Sequence, residues 1–211
     1  MGNYIKTIDD KLKVTSSEET SISKTKPIKK LFATDRIKIC AIDEEHLSTI
    51  KKWFNDLDFL RYFDNITAIP FNYEEVKNYI GVGARPSSEI ILGVFSKDNE
   101  DIIGLIGFEN IRWSSGTSSI FIGIGNTSYL NLGLGREAMC LALDYGFREL
   151  NLHKIQLTVI EYNHSAIKLY EKVGFVKEGC LREYVLRDGM RFDLLQYGIL
   201  NSEWNNKSSE I

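Results

Sequence analysis

A chain of 211 residues, 43% hydrophobic and 26% charged, is long enough to bury one full core without metals or disulfides. Its net charge of −3 offers no basic field to displace counterions, which argues against a general nucleic-acid binder. No apolar run reaches the roughly 20 residues needed to cross a bilayer, and Met1–Asp10 lacks the apolar stretch of a signal peptide, so a cytoplasmic protein is expected. Three cysteines (Cys40, Cys140, Cys180) without a CxxC pair, and three isolated histidines, form neither a disulfide framework nor a metal site.

Residues 1–30 are rich in Ser, Thr and Lys and read as a poorly ordered arm, whose basic stretch Lys24–Lys30 is a solvated tail or a docking element. Ile37, Ile39 and Ala41 then alternate as a first strand. Asp43 offers an N-cap for a helix from His46 to Asn55, with Leu47, Ile50, Trp53 and Phe54 on one face. A broken aromatic stretch (Phe59, Leu60, Tyr62, Phe63) precedes a second helix near Tyr73–Ile80. Strands follow at about Glu89–Phe95, Ile102–Ile111 and Ser119–Gly125, the first two joined by the turn Lys97-Asp98-Asn99-Glu100. Leu134, Ala138, Leu141, Ala142 and Tyr145 mark a long helix ending near Leu150, and Lys154–Ile160 is a buried strand. Ala166, Leu169, Tyr170 and Val173 stripe a helix over Asn163–Val173, which Gly174 closes. Two strands, about Cys180–Leu186 and Leu195–Asn201, flank the turn Arg187-Asp188-Gly189-Met190. This order predicts an α+β domain over 31–205, with a mixed sheet, helices on its faces and a short tail at 206–211.

The run Leu132-Gly133-Leu134-Gly135-Arg136-Glu137-Ala138 puts two glycines at the start of the long helix. A helix N-terminus exposes about four unpaired N–H groups and roughly half a positive charge, and glycine lets a diphosphate approach them. The plain alternative is a cap whose glycines only fit a turn. The same letters spell G-x-G-x-x-A, but a dinucleotide site needs the glycines directly after a strand and a carboxylate about 20 residues on. Asn126–Leu132 separates Gly133 from its strand and positions 153–157 hold no carboxylate, so that site is set aside.

Three blocks carry a family resemblance: Tyr129-(x)3-Gly133-x-Gly135-(x)2-Ala138; Tyr145-Gly146-Phe147 with Leu150-Asn151-Leu152-His153-Lys154; and Asn163-(x)2-Ala166-(x)2-Leu169-Tyr170-Glu171-Lys172-x-Gly174-Phe175-(x)2-Glu178-Gly179. Over roughly Thr34–Glu203 the chain resembles the Gcn5-related N-acetyltransferase (GNAT) superfamily, in the branch similar to ribosomal-protein N-terminal acetyltransferases and spermidine acetyltransferases. The resemblance implies the GNAT fold, a mixed, mostly antiparallel sheet of six to seven strands with about four helices, and acetyl-CoA as cosubstrate without a metal. It implies that backbone amides of Leu132, Gly133, Leu134, Gly135 and Arg136 hold the pyrophosphate, that Asn163 contacts the pantetheine arm, and that Tyr170 protonates the leaving thiolate. Ile122, Gly123 and Ile124 match the strand that offers an amide to the thioester carbonyl. One departure stands out: the usual Arg or Gln three residues before the first glycine is missing, and Leu130 and Asn131 occupy that turn.

The residues leave alternatives beside these roles. Tyr170 lies on an apolar stripe and either packs or acts; with reference values near 10 for Tyr and 8.5 for a thiol, full proton transfer is uphill by roughly 2 kcal/mol. Asn163 is also an ordinary N-cap, Gly123 fits a bulge, the approach of a ligand or packing under a helix, and Lys168 and Lys172 meet CoA phosphates or only solvent. Glu109, at a strand end, is the candidate general base, with Asp64 and Glu161 behind it. Trp53, Asp56, Asp58, Tyr62, Phe63 and Asp64 are the expected acceptor lining, where carboxylates suit a cationic amine such as a polyamine, an aminoglycoside or a protein N-terminus. The expected function is acetyl-CoA-dependent N-acetylation of a primary amine by direct attack, without nucleic-acid or membrane partners and, by analogy, in a homodimer. The alternative is a catalytically weak or inactive CoA-binding sensor.

Overall fold

The alternation of Ile37 and Ile39, both buried, makes β1 (Ile37–Cys40) the first strand of a seven-stranded sheet in a computed structural model that describes residues 32–81 and 88–208. The expected arm, 1–30, lies outside the described residues. The other strands are β2 (Ile90–Ser96), β3 (Ile102–Arg112), β4 (Thr117–Ile124), β5 (Lys154–Ile160), β6 (Val176–Arg187) and β7 (Met190–Leu200), in the order β1-β2-β3-β4-β5-β7-β6. Every neighbouring pair is antiparallel except β4–β5. That parallel pair needs a crossover, and α4 (Leu134–Arg148) supplies it.

Six helices cover the sheet among the described residues. One face carries α4 and α5 (His164–Val173), whose Leu134, Ala138, Met139, Leu143, Tyr170 and Val173 pack on Ile106, Phe108, Ile155 and Leu157. The other face carries α1 (Leu47–Trp53), α2 (Leu57–Phe63) and α3 (Tyr73–Ile80), whose Ile50, Trp53, Leu60 and Val76 pack on Phe95, Ile102 and Leu105. Among the described residues no helix is long and apolar enough to cross a membrane.

Three segments differ from the sequence reading. The aromatic stretch expected to be broken is the helix α2: the Asp56 carboxylate accepts from the amides of Asp58 and Phe59 at 2.9 and 3.3 Å, which starts a helix that hydrophobic spacing alone did not reveal. The last hairpin is longer than expected, because β6 is a nearly exposed edge strand whose side chains carry no burial pattern to read. A sixth helix, α6 (Asn201–Ser208), follows β7 where polar residues gave no helical stripe. It is pinned by Trp204, whose Nε1 donates to Asp144 Oδ1 at 3.0 Å with both residues buried.

Candidate active site

The N-terminus of α4 begins at Gly133, whose φ of 80° lies in the left-handed region, preceded by Asn131 at φ 61°. The Gly133 carbonyl accepts from the amides of Arg136 and Glu137 at 3.1 and 3.2 Å. The Arg136 amide is therefore occupied. Among the described residues the amides of Leu132, Gly133, Leu134 and Gly135 have no hydrogen-bond partner, so this end retains its capacity to bind an anion.

Gly135 marks where three elements meet. A methyl group there would lie 3.3 Å from Leu169 Cδ1 on α5 and 3.9 Å from both Ile122 and Ile124 on β4. Beneath this junction the sheet opens. Strands β4 and β5 pair only at Thr117↔Lys154, Ser118↔Ile155 and Ser119↔Gln156, although β5 continues to pair with β7 as far as Ile160. The Gly125 amide donates to Ile103 on β3 at 3.0 Å, and antiparallel alternation then turns Gly123 and Phe121 toward β3. Ile122 and Ile124 turn their peptide groups the other way, into the opening left by β5.

Gly123 itself is explained by packing. A methyl group on it would fall 2.4 Å from the Phe63 ring and 3.1 Å from Phe59, so it is the strand glycine under a helix rather than a space kept for a ligand. Gly125 is still tighter, at 2.0 Å from the Trp53 indole. These two glycines let α1 and α2 settle on β4.

Tyr170 projects from α5 into the α4 face, with its ring 5.9 Å from that of Phe175 and 7% of its surface exposed. Burial pushes its phenol up to about 12. The hydroxyl has no hydrogen bond among the described residues, yet the one buried side-chain nitrogen or oxygen lacking a partner there is Arg187 Nε. The Tyr170 oxygen therefore reaches open space. Asn163 caps α5: its Oδ1 accepts from the Ala166 amide at 3.2 Å and the Ser165 hydroxyl at 3.1 Å, and its Nδ2 donates to the Tyr62 carbonyl at 3.2 Å. Lys168 and Lys172 are exposed on the same helix.

On the opposite face α2 spans the opening. Phe59 and Phe63 rest on β4, while Tyr162 Oη donates to the Arg61 carbonyl at 3.0 Å and Asn65 Nδ2 to Thr158 Oγ1 of β5 at 3.3 Å. Between α2 and the β6–β7 hairpin lies a cavity of about 300 Å³ lined by Asp58, Arg61, Tyr62, Tyr162, Arg187, Asp188 and Phe192. Arg61 pairs with Asp188 across it, and Arg187 Nη2 donates to the Ile66 carbonyl at 2.5 Å. The two arginines and the hairpin residues were not visible in the sequence as site residues, because only the folding of the hairpin onto α2 brings them there. Glu109 on β3 pairs with Ser119, one step before β4 leaves β5. Its carboxyl is held above the usual carboxylate range, first by burial and then by the charges of Asp64 and Glu89. Burial and the charges of Glu109, Asp64 and Glu89 also push up Tyr79.

A helix end with free amides, a parted sheet and a lone phenol thus lie on the α4 side of the sheet, and comparisons with known proteins show what the whole chain is similar to. The model of the acetyltransferase (GNAT) domain family matches residues 36–176. The uncharacterized N-acetyltransferase p20 of Bacillus licheniformis is 29% identical over 175 residues, covering 81% of this chain and 96% of that protein. The ribosomal protein uS5-alanine N-acetyltransferase of Escherichia coli (strain K12) is 29% identical over 121 residues, 57% of this chain and 62% of that protein. The spermidine N-acetyltransferase from Vibrio cholerae, solved in complex with CoA and spermine, superposes with a TM-score of 0.75 at 27% identity, over 82% of this chain and 100% of that one. The protein is an acyltransferase that moves acetyl groups to amines. It belongs to the GNAT acetyltransferase family, as its motifs implied.

Proposed function

We propose that acetyl-CoA binds with its pyrophosphate on the amides of Leu132–Gly135 and its thioester in the opening between β4 and β5. An amine reaches it from the α2 side. What supports this reading is the meeting of α4, α5 and β4 at Gly135, beside the outward peptides of Ile122 and Ile124, with the α4 amides unpartnered and the Tyr170 hydroxyl of α5 unbonded among the described residues. The CoA and spermine bound to the Vibrio cholerae neighbour support the pair of ligands.

The chemistry follows from the geometry. The neutral amine attacks the thioester carbon, forming a C–N bond while the carbonyl oxygen gathers charge beside the amides of β4. The C–S bond then breaks, and the thiolate takes the Tyr170 proton. With the buried phenol near 12 and the thiol at its free value near 8.5, that transfer would be uphill by about 5 kcal/mol. The same dry surroundings raise the basicity of the departing sulfur and narrow the gap. Glu109, with its raised carboxyl, takes the ammonium proton directly or through water. With Asp188 already paired to Arg61, Asp58 is the cavity carboxylate that suits a cationic acceptor, and Tyr62, Tyr162 and Phe192 suit its carbon chain. A sensor that has lost catalysis is not favoured, since Tyr170 is present and its hydroxyl is free. The test is a panel of polyamines, aminoglycosides and N-terminal peptides with acetyl-CoA, reading thiol release and product mass. One or more amines gaining an acetyl group supports the reading, and CoA binding without any product overturns it.

A further inference from the structure

Residues 126–135 lead into the anion-binding turn of α4 without a single basic side chain, yet a guanidinium lies against that turn from the opposite end of the chain. Arg36, immediately before β1, donates from Nη1 to the Leu132 carbonyl at 3.1 Å and from Nε to Glu137 Oε1 at 2.8 Å, with Nη2 on the same carboxylate oxygen. The Thr34 hydroxyl donates to the other oxygen, Oε2, at 2.7 Å, so both sides of the carboxylate are held. A methyl group on Gly133 would lie 3.7 Å from Arg36 Nη2.

Two consequences follow. The Leu132 oxygen and the Gly133 N–H belong to one planar trans peptide and point in opposite directions. Holding the oxygen on Arg36 therefore aims the Gly133 amide away from the guanidinium, toward the free end of α4. Glu137 stands in the first turn of α4, where its charge suits the helix dipole but repels any anion gathered by the same amides. Arg36 neutralises that charge. We propose that Arg36 is a positioning residue for the cofactor's pyrophosphate, acting through the Leu132–Gly133 peptide and by cancelling Glu137. This rests on the reading of the α4 N-terminus as the acetyl-CoA site.

The test uses the full chain and its R36A, R36K and E137Q variants, with KM for acetyl-CoA and for the amine, kcat, and calorimetric CoA binding. R36A is expected to raise KM for acetyl-CoA and the CoA dissociation constant by about tenfold, with kcat and the amine KM held within about twofold. Lysine restores a charge but not the fork, so R36K falls between. E137Q breaks the same ion pair yet keeps the Leu132 bond and removes the repelling charge, so it lowers KM for acetyl-CoA. A purely structural brace predicts the opposite, with E137Q impaired like R36A; E137Q at or above the wild-type value overturns the proposal. Should R36A fail to fold, R36K and E137Q decide by the same signs. CoA bound by the wild type with R36A and R36K unchanged defeats this proposal alone. No CoA bound by the wild type defeats the cofactor reading and this proposal together.

Discussion

The two faces of the sheet present ligands with different kinds of group. On the α4 face the donors are main chain: the amides of Leu132–Gly135 and the outward peptides of β4, with Tyr170 as the exception. On the α1–α3 face the polar groups are side chains, namely the carboxyls of Glu109, Asp64 and Glu89 near the sheet, and Asp58, Arg61, Arg187 and Asp188 under the hairpin. Main-chain donors serve a constant partner and need only a backbone path. Side chains can change one at a time, so under the proposed binding mode the amine's face can be altered residue by residue while the cofactor's face depends on the backbone path.

The contrast can be broken hardest at Tyr170, the one side chain on the main-chain face to which the proposal gives chemistry. Tyr170→Phe should lower kcat by roughly 100-fold or more, with KM for acetyl-CoA and the thermal midpoint nearly unchanged, because the hydroxyl makes no hydrogen bond. Unchanged turnover would reduce the phenol to packing. Because burial holds it near 12, no alkaline loss of rate from its ionisation is expected up to about pH 10.

Gly125→Ala attacks the other face through stability. Its methyl would enter the Trp53 ring, so unfolding should be easier by roughly 1–3 kcal/mol, a fall of about 2–4 °C in Tm for each kcal/mol. A Tm equal to wild type would mean that α1 shifts without cost. Asn163→Ala sharpens a smaller point: loss of the cap and of the Tyr62 tie should cost about 1 kcal/mol while KM for acetyl-CoA stays within twofold. A clear rise in that KM would instead support the pantetheine contact that the family resemblance implied beside the cap.

The smallest effect is electrostatic. Glu109 acts as a base only when ionised, so its raised carboxyl places the acid limb of kcat/KM higher than an ordinary glutamate would. Asp64→Asn removes one of the raising charges and should move that limb to lower pH; an unmoved limb would argue against Glu109 as the base. In stability the sign reverses. A carboxyl raised on folding favours its protonated form, so its contribution is present below the unfolded value and is lost as pH rises through the folded one.

Much of the main-chain face was legible in the sequence. Glycines at 133 and 135, the helical stripe to Tyr145 and the Asn163 to Gly174 unit are local signals, and α4, β5 and α5 fall where those signals put them. The α1–α3 face was read less well. Tyr73–Ile80 is a helix as expected, but α2 is only seven residues long, and its aromatics follow the demands of β4 and of the Asp56 cap rather than a clear period. Arg36 gave no local signal, since its partner Glu137 stands 101 positions away. Arg187 and Asp188 looked like turn residues; Arg187 instead closes β6, Asp188 makes the turn, and the hairpin delivers both to α2.

The three rungs that join β4 to β5 have a mechanical meaning. Strands β1 to β4 form one plate and β5, β7 and β6 another, each laced by long antiparallel ladders, with α4 riveting the plates together on one side and α2 strapping them on the other. The proposed catalytic slot is therefore also the fault line of the molecule. A cargo wedged there would stiffen the whole body, and slowed amide exchange on both plates at once would report its arrival far from where it touches.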